Sequence, residues 1–403
     1  MPRVVITGVG TINSLGNNVS EFWNRLSENK SGVSTYYNEY VTNVHVVASV
    51  KGDYINNHLT RKELIRTDRV TQLALISADE AIKDARLTQE DIVEGTILVG
   101  NAFGGTTSLL SNYKKALSGE PLSPFLITNF LSNTIGANIA IKYHVHGNNQ
   151  AINTACASGT DAIGQGYERI MSGQYRIAIV GGSEASLTPL IINGFDKIGA
   201  LSHSDDPSTA SRPFDQERDG FVMGEGAGFL ILENLENALE RNAHILAEIV
   251  GYETNNDASN LLAPEPSAER ISQMLNNLLV KAKIDKRSID YVNTHGTSTK
   301  LNDSTEIKGL TRVFKGKKIV LSSTKSYIGH ALGASGAIEA IVTAKSLEHS
   351  IVHGIKNLRN PEIGGDFTYL ADTLLKVKLK YAISESFGFG GHNSALLLKK
   401  YEG

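Results

Sequence analysis

The residues of this chain that could carry out covalent chemistry are one cysteine and two histidines, each followed by small side chains. Cys156, the only cysteine, lies in the stretch AINTACASG, His295 lies in NTHGTST and His330 lies in YIGHALGASG. A thiol can become a nucleophile for acyl groups, and histidines can donate hydrogen bonds to a carbonyl oxygen that gains negative charge. If the fold brings the three residues into one pocket, they are suited to acyl transfer through a covalent intermediate.

Cys156 falls where a short apolar strand is predicted to end and a helix to begin. The positive end of the helix dipole favours a thiolate, and the free N–H groups of the first turn can bind an oxyanion. The small residues that follow leave room for a substrate beside the sulfur. A buried cysteine that acts only as a small apolar side chain fits the same stretch, since most lone cysteines are of that kind. The stretch alone leaves both interpretations open.

His295 and His330 each follow a predicted strand, in loops rich in Gly, Ser and Thr, and Lys325 precedes His330 in its loop. Lone histidines are more often surface or core residues than catalytic ones. In open α/β sheets, however, binding sites form beyond the carboxyl ends of the strands, which is where these histidines and Cys156 are expected. We therefore predict that the three side chains converge on one pocket.

Two further motifs do not complete a site. The N-terminal stretch TGVGTINSLG begins like a dinucleotide-binding loop, but the third glycine of the G-x-G-x-x-G pattern would fall on Asn13. The sequence HVH at 144–146 has no carboxylate or histidine nearby at metal-ligand spacing and is predicted to be a surface loop. No nucleotide-binding loop and no metal site are therefore predicted.

The elements that must position these residues alternate between short strands and amphipathic helices. The strands are continuously apolar, which is typical of a sheet covered by helices on both faces. Strands are predicted at 3–10, 96–102, 151–155, 176–185, 226–234, 247–254, 290–296, 318–324 and 393–400. Helices are predicted at 67–87 and 269–284 because apolar residues recur there at helical spacing.

This pattern predicts an α/β fold of two similar halves. Each half contains a strand that runs into a small-residue turn with a reactive side chain. Residues 1–248 are predicted to form the half with Cys156, and residues 249–403 the half with His295 and His330. No low-complexity linker separates them, so we expect the halves to pack as one unit.

The composition excludes several classes of function. The chain of 403 residues has 39 Lys and Arg against 42 Asp and Glu, for a net charge of -3, so it lacks a global basic field for nucleic acid. No apolar run approaches the ~20 residues needed to cross a bilayer, and the first residues lack the layout of a signal peptide. One cysteine excludes internal disulfides and a cysteine-cluster metal site. We expect a cytoplasmic protein without nucleic-acid or membrane partners.

Five motifs, in the same order along the chain, resemble those of the β-ketoacyl-acyl-carrier-protein synthases, the condensing enzymes of the thiolase-like fold. They are NTACASG around Cys156, RPFDQERDGFVMGEGAG at 212–228, NTHGTST at 293–299, STKSYIGHALGASGAIEA at 323–340 and SFGFGGHNS at 386–394. The class resembled is the type II, stand-alone synthase with a Cys-His-His triad. The resemblance implies two duplicated α/β halves that pack as a layered αβαβα unit.

The same resemblance implies the roles of the site residues. Cys156 would receive an acyl chain from the phosphopantetheine arm of an acyl carrier protein. His295 and His330 would donate hydrogen bonds to the thioester carbonyl of malonyl carrier protein and so stabilise the enolate that forms as carbon dioxide leaves. The N–H groups of Cys156 and Phe389 would form the oxyanion hole, and Lys325 would orient and polarise the histidine site. No cofactor is implied.

Further residues are assigned by the same resemblance. The pantetheine arm and the acyl substrate would contact Thr297, Thr299, Phe103, Phe387 and Phe389. A buried network behind the histidines would include Glu339 and Asp303. Thiolases use a second cysteine as acid and base, and this chain has none, so decarboxylative condensation is favoured over thiolase chemistry.

The chain departs from the fatty-acid members of the family at positions that bear on the acyl substrate. Lys300 and Asn302 replace a usual Pro and Gly after the first histidine motif, which resembles synthases of polyketide or polyene pathways. Glu385 stands where Asn is common. Phe103 stands where elongating synthases keep a smaller residue near the dimer interface, so its ring is expected to shorten or reshape the acyl tunnel. The choice between a polyketide or polyene pathway and housekeeping fatty-acid elongation stays open.

The remaining expectations concern protein partners. A basic segment, TRKELIRTDR, is predicted to bind the acidic carrier protein through Arg61, Lys62, Arg66 and Arg69; alternatively these charges only form a solvated helix face. The resemblance implies a homodimer, or a heterodimer with a chain-length-factor-like subunit, with the apolar strand AINTA at the interface. A non-catalytic, chain-length-factor-like role for this chain is disfavoured, because the thiol, both histidines and the lysine are present.

Overall fold

The fold is built around an 11-stranded sheet. The computed structural model describes residues 2–362 and 364–403. The strands are β1 (Val4–Asn13), β2 (Ser34–Thr35), β3 (Val46–Val47), β4 (Thr96–Gly100), β5 (Asn149–Ile152), β6 (Ile177–Glu184), β7 (Gly226–Asn234), β8 (Ala247–Asn256), β9 (Ile289–Asn293), β10 (Ile319–Ser322), β11 (Ile351–His353), β12 (Phe367–Tyr369), β13 (Leu374–Lys376), β14 (Tyr381–Gly388) and β15 (His392–Lys400). The helices are α1 (Val19–Ser27), α2 (Gly52–His58), α3 (Arg61–Arg66), α4 (Arg69–Asp84), α5 (Gln89–Ile92), α6 (Thr106–Ser118), α7 (Leu126–Phe130), α8 (Asn133–Tyr143), α9 (Ser158–Met171), α10 (Pro189–Lys197), α11 (Leu235–Glu240), α12 (Glu269–Ala282), α13 (Lys300–Val313), α14 (Lys325–Ile328) and α15 (Ser335–His349).

The large sheet contains two sets of five strands with the same pairing, and β12 adds an eleventh strand next to β10. The order β5-β4-β6-β7-β1 in the first half is repeated as β10-β9-β14-β15-β8 in the second. In each set the first two pairings are parallel and the last two antiparallel. Strands β1 and β8 pair with each other and join the two sets. The predicted boundary between residues 248 and 249 falls inside β8, which comes first along the chain among the strands of the second set.

Helices form the remaining layers. Helices α9 and α15 lie between the two halves: α9 packs on β4 and β6 of its own half and on β8 and β15 of the other, while α15 packs on β14, β15 and β7. Helix α4 covers the outer face of the first half, and α12 covers that of the second. The molecule therefore has the helix-sheet-helix-sheet-helix order that the sequence resemblance implied.

The two central helices approach each other closely because small residues line their contact. A Cβ atom on Gly159 of α9 would lie 2.9 Å from the backbone N of Ala337 in α15, and one on Gly336 would lie 2.0 Å from the Thr160 hydroxyl. Nearly all of α15 is buried, from Ser335 to Leu347. A helix that is apolar or small on every side is typical of the interior of a large protein.

Most of the predicted strands are present within a few residues of their expected bounds, and GAGFLILEN forms β7 without change. Strand β14 was not predicted. Its sequence, YAISESFG, places Ser384, Glu385 and Ser386 in succession, and all three side chains are buried. Polar residues at these positions conceal a strand that lies in the middle of the second set, between β9 and β15.

The basic segment at 60–69 is two helices rather than one. Helix α3 ends at Arg66, and α4 begins at Arg69 because the Asp68 carboxylate caps it by accepting a hydrogen bond from the backbone N–H of Val70 at 3.0 Å. Thr60 and Glu63 form a capping box at the start of α3. The break between the helices gives Arg69 surroundings different from those of the other basic residues.

Three further observations concern the surface and the side chains of the described residues. His144 and His146 are exposed at the turn after α8, as predicted for HVH. Within residues 2–362 and 364–403, no group of three or more His, Cys, Asp or Glu side chains is arranged to hold a metal ion. Over the same described ranges, the helices are too short or too polar to span a membrane.

Candidate active site

Cys156 lies in a tight turn between β5 and α9. Residues Ala155–Ala157 form a 3-10 turn, and Ala155 has a φ of 50°, a strained conformation for a residue with a side chain. The Ser158 hydroxyl closes the turn: it accepts a hydrogen bond from the backbone N–H of Thr154 at 2.9 Å and donates one to the carbonyl of Ala155 at 2.6 Å. The local geometry at the nucleophile is therefore fixed by its own segment.

A glycine loop after β14 passes directly beside this turn. A Cβ atom on Gly388 would lie 2.5 Å from the carbonyl oxygen of Thr154, so a residue with a side chain could not approach as closely. The contact brings the backbone N–H of Phe389 to the sulfur of Cys156, where the N–H of Cys156 also points. These are the two donors predicted for the oxyanion hole.

Cys156 is a neutral thiol in the resting site. The side chain is 8% exposed, and this burial raises the pKa of the thiol to about 12. The positive charge of Lys325 and the two nearby N–H groups act in the opposite direction, and the Glu184 carboxylate adds to the rise. Burial thus outweighs the charge of Lys325 and the two N–H groups, whereas a thiolate was expected from the sequence. The sulfur must lose its proton during acyl transfer.

The two histidine rings meet edge to face. Their centroids are 5.4 Å apart, with an interplanar angle of 86°. Burial, and secondly the charge of Lys325, lowers the pKa of both His295 and His330 well below the ordinary 6.5. The rings are therefore neutral near pH 7, and each can donate one hydrogen bond. The Nδ1 atom of His330 lies 2.9 Å from the Ser335 hydroxyl, which leaves its Nε2 atom for a ligand.

Lys325 lies behind the histidines at the start of α14 and is 1% exposed. Its Nζ atom donates a hydrogen bond to the carbonyl oxygen of His295 at 2.6 Å and forms a buried ion pair with Glu339. The lysine therefore holds His295 through its backbone, and its charge adds to burial in lowering the pKa of both rings. These contacts suit the orienting role that the resemblance implies.

Two buried carboxylates hold the loop that follows β9. Asp303 accepts hydrogen bonds from the backbone N–H groups of Thr297 at 3.0 Å and Ser298 at 3.1 Å. Glu306 accepts one from the backbone N–H of His295 at 2.6 Å and another from the next residue. Glu306 was not predicted, but its spacing of three residues from Asp303 on α13 places both carboxylates on one face of the helix and could have indicated it.

Glu385 lies beside Glu306 in the same buried network. Burial, and secondly the charge of Glu306, raises the pKa of Glu385 well above its ordinary value, and burial raises the pKa of Glu306 to about 7. Two neighbouring carboxyl groups in such a site cannot both ionise freely, so the pair retains a proton near neutral pH. This is the physical consequence of Glu385 at a position where Asn is common in the family.

The structure brings the predicted groups together around one cavity of about 450 Å³. Its lining includes the predicted nucleophile, both histidines and four of the predicted substrate contacts: Cys156, His295, His330, Thr297, Thr299, Phe387 and Phe389. Lys325, Glu339 and Asp303 lie behind the wall of the cavity rather than in it. The sequence motifs thus separate into groups that reach the cavity and groups that support them.

Phe103 borders this cavity only through another ring. It is 37% exposed, and its ring meets that of Phe195 edge-on, with centroids 6.1 Å apart. Phe195 lines the cavity and also contacts Phe389 at a centroid distance of 6.1 Å. Phe195 was not singled out from the sequence, because an apolar residue in a helix such as α10 is more often part of the core.

Glu184 is a second buried carboxylate that the sequence did not indicate. At the end of β6, it accepts hydrogen bonds from the backbone N–H of Ala102 at 2.9 Å and from the Ser186 hydroxyl at 2.6 Å. Burial raises the pKa of Glu184 to about 7. The carboxylate fixes the loop that carries Phe103, next to the cysteine.

The predicted docking residues divide into two groups. Arg61, Lys62 and Arg66 are exposed on α3. Arg69 instead forms a paired hydrogen bond with the Glu225 carboxylate, at 2.8 and 2.6 Å, and donates to a backbone carbonyl. Its guanidinium is therefore held by groups of its own chain, and the docking role of Arg69 stays a prediction.

Besides the basic surface of α3, the protein has an apolar surface at the β5 edge of the sheet. Strand β5 is at the edge of the sheet and pairs only with β4, so its other side presents unpaired backbone groups. Helix α8 packs on β5 and exposes Ile141, while α6 and α7, which pack on each other, and the link from α7 to α8 expose further large apolar side chains: Tyr113, Leu117, Ile127 and Leu131. An open strand edge within an apolar surface suits pairing with a second chain. The strand at this edge is Asn149–Ile152 rather than the predicted 151–155, and its place in an interface stays a prediction.

A buried thiol, two neutral histidines and two N–H groups around one cavity, carried by duplicated α/β halves, define a condensing acyltransferase of the thiolase-like fold. Sequence comparison agrees: the N-terminal domain of the β-ketoacyl synthases matches residues 1–238, and their C-terminal domain matches residues 246–359. The chain belongs to the β-ketoacyl synthase family, which confirms the resemblance and the fold class inferred from the sequence.

Curated relatives match along the whole chain. The 3-oxoacyl-[acyl-carrier-protein] synthase 2 of Staphylococcus aureus (strain COL) is 39% identical over 411 residues, which covers 99% of each protein. The protein of the same name from Synechocystis is 38% identical over 409 residues, with coverage of 99% of this chain and 98% of the relative.

Solved structures show the same agreement. The ketosynthase AntDE, described in complex with its type II polyketide acyl-carrier protein AntF and bound to the hexaketide, superposes with a TM-score of 0.91 at 31% identity and covers 99% of this chain and 100% of that one. The ishigamide ketosynthase/chain length factor has the same TM-score at 29% identity, with 99% coverage of each chain. A β-ketoacyl synthase from Burkholderia phymatum also gives 0.91, at 30% identity over both full chains.

Proposed function

We propose that this protein condenses an acyl chain, held as a thioester on Cys156, with malonyl-acyl carrier protein to give a β-ketoacyl-acyl carrier protein and carbon dioxide. The observation that carries the proposal is the shared cavity, in which the thiol, His295, His330 and the N–H of Phe389 all meet. The reaction has three steps, and each uses a different part of this set.

In the first step the sulfur of Cys156 attacks the thioester carbonyl of an acyl-carrier protein. The bond between the acyl carbon and the pantetheine sulfur breaks, and the proton of the Cys156 thiol ends on that departing sulfur. The N–H groups of Cys156 and Phe389 stabilise the oxyanion of the intermediate. Because burial keeps the sulfur protonated at rest, it ionises only as the thioester reacts.

In the second step malonyl-carrier protein occupies the cavity. The bond between its carboxylate carbon and its methylene carbon breaks, carbon dioxide leaves, and the electron pair forms an enolate. Hydrogen bonds from His295 and His330 stabilise the enolate oxygen. Since both rings are neutral, they act as donors and do not protonate the enolate. Loss of one such donor typically costs about 100- to 1,000-fold in rate.

In the third step the enolate carbon attacks the acyl carbon on Cys156. A carbon–carbon bond forms, the bond to the sulfur of Cys156 breaks, and the thiolate takes up a proton to restore the resting thiol. The oxyanion again lies at the N–H groups of Cys156 and Phe389. None of the three steps needs a redox cofactor, so we propose that the substrates are carried on phosphopantetheine alone.

The partners and location follow from the same chemistry. We propose that an acyl carrier protein delivers both substrates, as the complex of AntDE with its carrier protein suggests by analogy. The open β5 edge suits a homodimer or a heterodimer of the kind named for the ishigamide ketosynthase/chain length factor. The single cysteine must stay reduced to react, and the cytoplasm is a reducing compartment. We therefore propose a cytoplasmic location.

The acyl substrate is the part of the function that an experiment must decide. The named relatives at 38–39% identity are 3-oxoacyl synthases, whereas AntDE, described with a type II polyketide carrier protein, is 31% identical. This difference favours saturated acyl chains over polyketides. The purified protein should be incubated with malonyl-carrier protein and with acyl-carrier proteins of both kinds, and the intact protein and products weighed by mass spectrometry.

Two results would decide between the alternatives. The proposal predicts an acyl adduct on Cys156 and a product longer by two carbons, with saturated acyl chains used better than polyketide chains. A protein that never carries an acyl group and never releases carbon dioxide from malonyl-carrier protein would be a non-catalytic partner subunit, and the proposal would be overturned.

A further inference from the structure

Glu385 lies in the middle of β14, and its side chain points away from the two central helices. Side chains alternate between the two faces of a strand. The neighbouring Ser386 faces α9, where its hydroxyl lies 2.7 Å from that of Thr160. On the opposite face, Ile383 and Phe387 pack in the core that contains apolar side chains of α13. Glu385 therefore faces α13.

This position places Glu385 behind the histidine site. Ser384 pairs with Asn293, the last residue of β9, so Glu385 lies level with the point where the chain leaves the sheet toward His295. The ring of Phe387, two residues further on, meets the ring of His295 at a centroid distance of 5.6 Å. Glu385 is not among the residues that line the cavity, so it can act on the reaction only through its neighbours.

The surroundings of Glu385 leave its carboxyl group without a donor. The side chain is completely buried, and among the described residues no N–H or O–H group donates a hydrogen bond to either carboxyl oxygen. Its polar neighbour is the carboxyl group of Glu306 on α13, which is another acceptor. An ionised carboxylate without donors is very costly to bury, whereas one proton can join two carboxyl groups. The contact between Glu385 and Glu306 therefore requires a proton.

The surrounding groups favour that proton on Glu385 rather than on Glu306. Glu306 accepts hydrogen bonds from the backbone N–H groups of His295 at 2.6 Å and Gly296 at 2.8 Å, and such donors favour its ionised form. Glu385 has no comparable donor. The nearby buried cations already have partners, in the ion pairs Lys325–Glu339 and Arg218–Asp303. The pKa of Glu385, which burial raises well above its ordinary value, agrees with this assignment.

We propose that Glu385 is a positioning residue, which acts as a neutral carboxylic acid and donates its proton in a hydrogen bond to Glu306. That hydrogen bond fixes the Glu306 carboxylate, and Glu306 in turn fixes the backbone of His295, which stabilises the enolate in the proposed reaction. Glu385 thus supports decarboxylation without touching the substrate. The kinetic part of this inference rests on the proposed function, whereas the shared proton is a property of the resting protein.

The kinetic test uses the full chain with Glu385 changed to Met or to Gln. Met fills a similar volume without a donor, whereas the amide of Gln can donate an N–H to Glu306 without an added proton. Decarboxylation of malonyl-carrier protein is measured with Cys156→Gln also present, and acyl loading with Cys156 intact. We expect Glu385→Met to lower kcat for decarboxylation about tenfold, equivalent to about 1.4 kcal/mol in the barrier, with KM and acyl loading nearly unchanged. Glu385→Gln should restore the rate.

The proton itself can be observed by infrared difference spectroscopy, because the C=O stretch of a neutral carboxylic acid is separate from the stretches of a carboxylate. At neutral pH the unaltered protein should show a carboxylic acid band that is absent from Glu385→Gln. This measurement needs no substrate and does not use Glu385→Met, so it tests the shared proton even if the Met variant does not fold.

The matched control is Glu233, a buried carboxylate in β7, in the first set of strands, that forms an ion pair with Arg241. Glu233→Gln should leave the carboxylic acid band unchanged, since an ion-paired carboxylate carries no proton. Glu233→Met should lower thermal stability without changing the ratio of decarboxylation to acyl loading. A thermal melt of each variant shows whether it is folded.

Several outcomes would overturn the inference. If Glu385→Gln retains the carboxylic acid band, the proton is not on Glu385. If Glu385→Gln does not fold or is as slow as Glu385→Met, a water molecule or a cation joins the two carboxyl groups instead of a proton. Unchanged decarboxylation in Glu385→Met, or equal losses of decarboxylation and acyl loading, would leave Glu385 with a packing role only.

Failure of the proposed function would give a different result. In that case the unaltered protein would release no carbon dioxide from malonyl-carrier protein, and the kinetic comparison would show no activity in any variant. The infrared band would still decide whether Glu385 carries the shared proton.

Discussion

At the scale of single residues, bond formation and charge stabilisation are assigned to different side chains of the site. In the proposed reaction Cys156 forms the covalent bond, while His295 and His330 stabilise the enolate. We therefore expect Cys156→Ala to abolish acyl loading from acyl-carrier protein, whereas Cys156→Gln should still release carbon dioxide from malonyl-carrier protein without condensation. Intact-protein mass spectrometry and carbon dioxide release measure the two activities. Acyl loading of the alanine variant would show that another residue is the nucleophile.

The lowered pKa of the histidines predicts how decarboxylation depends on pH. Both rings gain a proton only well below the ordinary 6.5, so they should remain neutral donors throughout the neutral range. Decarboxylation by Cys156→Gln should therefore stay nearly constant from about pH 6 to about pH 8. The measurement is the rate of carbon dioxide release across this range. An inflection near pH 6.5 would mean that a histidine titrates normally or that Glu306, whose pKa burial raises to about 7, affects the histidine site as it titrates.

Phe103 is predicted to limit the length of the acyl chain. Its ring supports Phe195, which lines the cavity, so truncation should let the Phe195 ring move and enlarge the pocket. Phe103→Ala should shift loading of Cys156 toward longer saturated chains, since each buried methylene contributes about 0.8 kcal/mol. A loading series from four to sixteen carbons measures this. A less stable variant with the same chain-length profile would identify Phe103 as packing only.

The sequence revealed the residues that touch substrate more readily than those that hold them. Cys156 and the histidines stand out because reactive side chains at strand ends are rare. Glu306 and Glu184 do not, because their role depends on backbone N–H groups that only the folded chain brings near. The ion pair of Arg69 could not be predicted for the same reason: nothing in its segment shows that Glu225, far along the chain, pairs with it.

At the scale of elements, α3 is the part whose role depends most on charge. Arg61, Lys62 and Arg66 are exposed on its surface. We expect Lys62→Glu to raise the KM for acyl-carrier protein several-fold at low ionic strength, with the effect falling as salt is added and thermal stability nearly unchanged. Steady-state kinetics at two salt concentrations provides the test. Identical kinetics at low salt would exclude Lys62 from docking.

Strand β14 shows what the sequence could not provide at this scale. Strands such as β7 were predictable because both faces are covered by helices and the sequence is apolar throughout. In β14 the chain places Ser384, Glu385 and Ser386 where the sheet meets the buried polar network. These buried polar residues replace the continuous apolar pattern that is usual for a covered strand. For that reason β14 could not be predicted from the sequence.

At the scale of the whole molecule, the open edge of β5 predicts association. We expect Ile127→Glu, on the apolar surface around that edge, to shift the protein toward the monomer, because Ile127 is 66% exposed and an interface would bury it. Light scattering coupled to size-exclusion chromatography measures the mass. Leu239→Glu is the control on a remote surface and should leave the mass unchanged. A dimer of unaltered stability in Ile127→Glu would place the interface elsewhere.

The central position of α9 and α15 has a consequence for how the chain reaches its native state. Each helix has apolar surface covered by strands of both halves, so neither half can bury its own central helix alone. During synthesis, the first half emerges from the ribosome before the strands that cover its central helix. Its apolar surface is therefore exposed to solvent until the second half has been made. The repeats should unfold together in a single cooperative transition, and the first half expressed alone should aggregate. The two halves therefore resemble one another, but neither is expected to fold without the other.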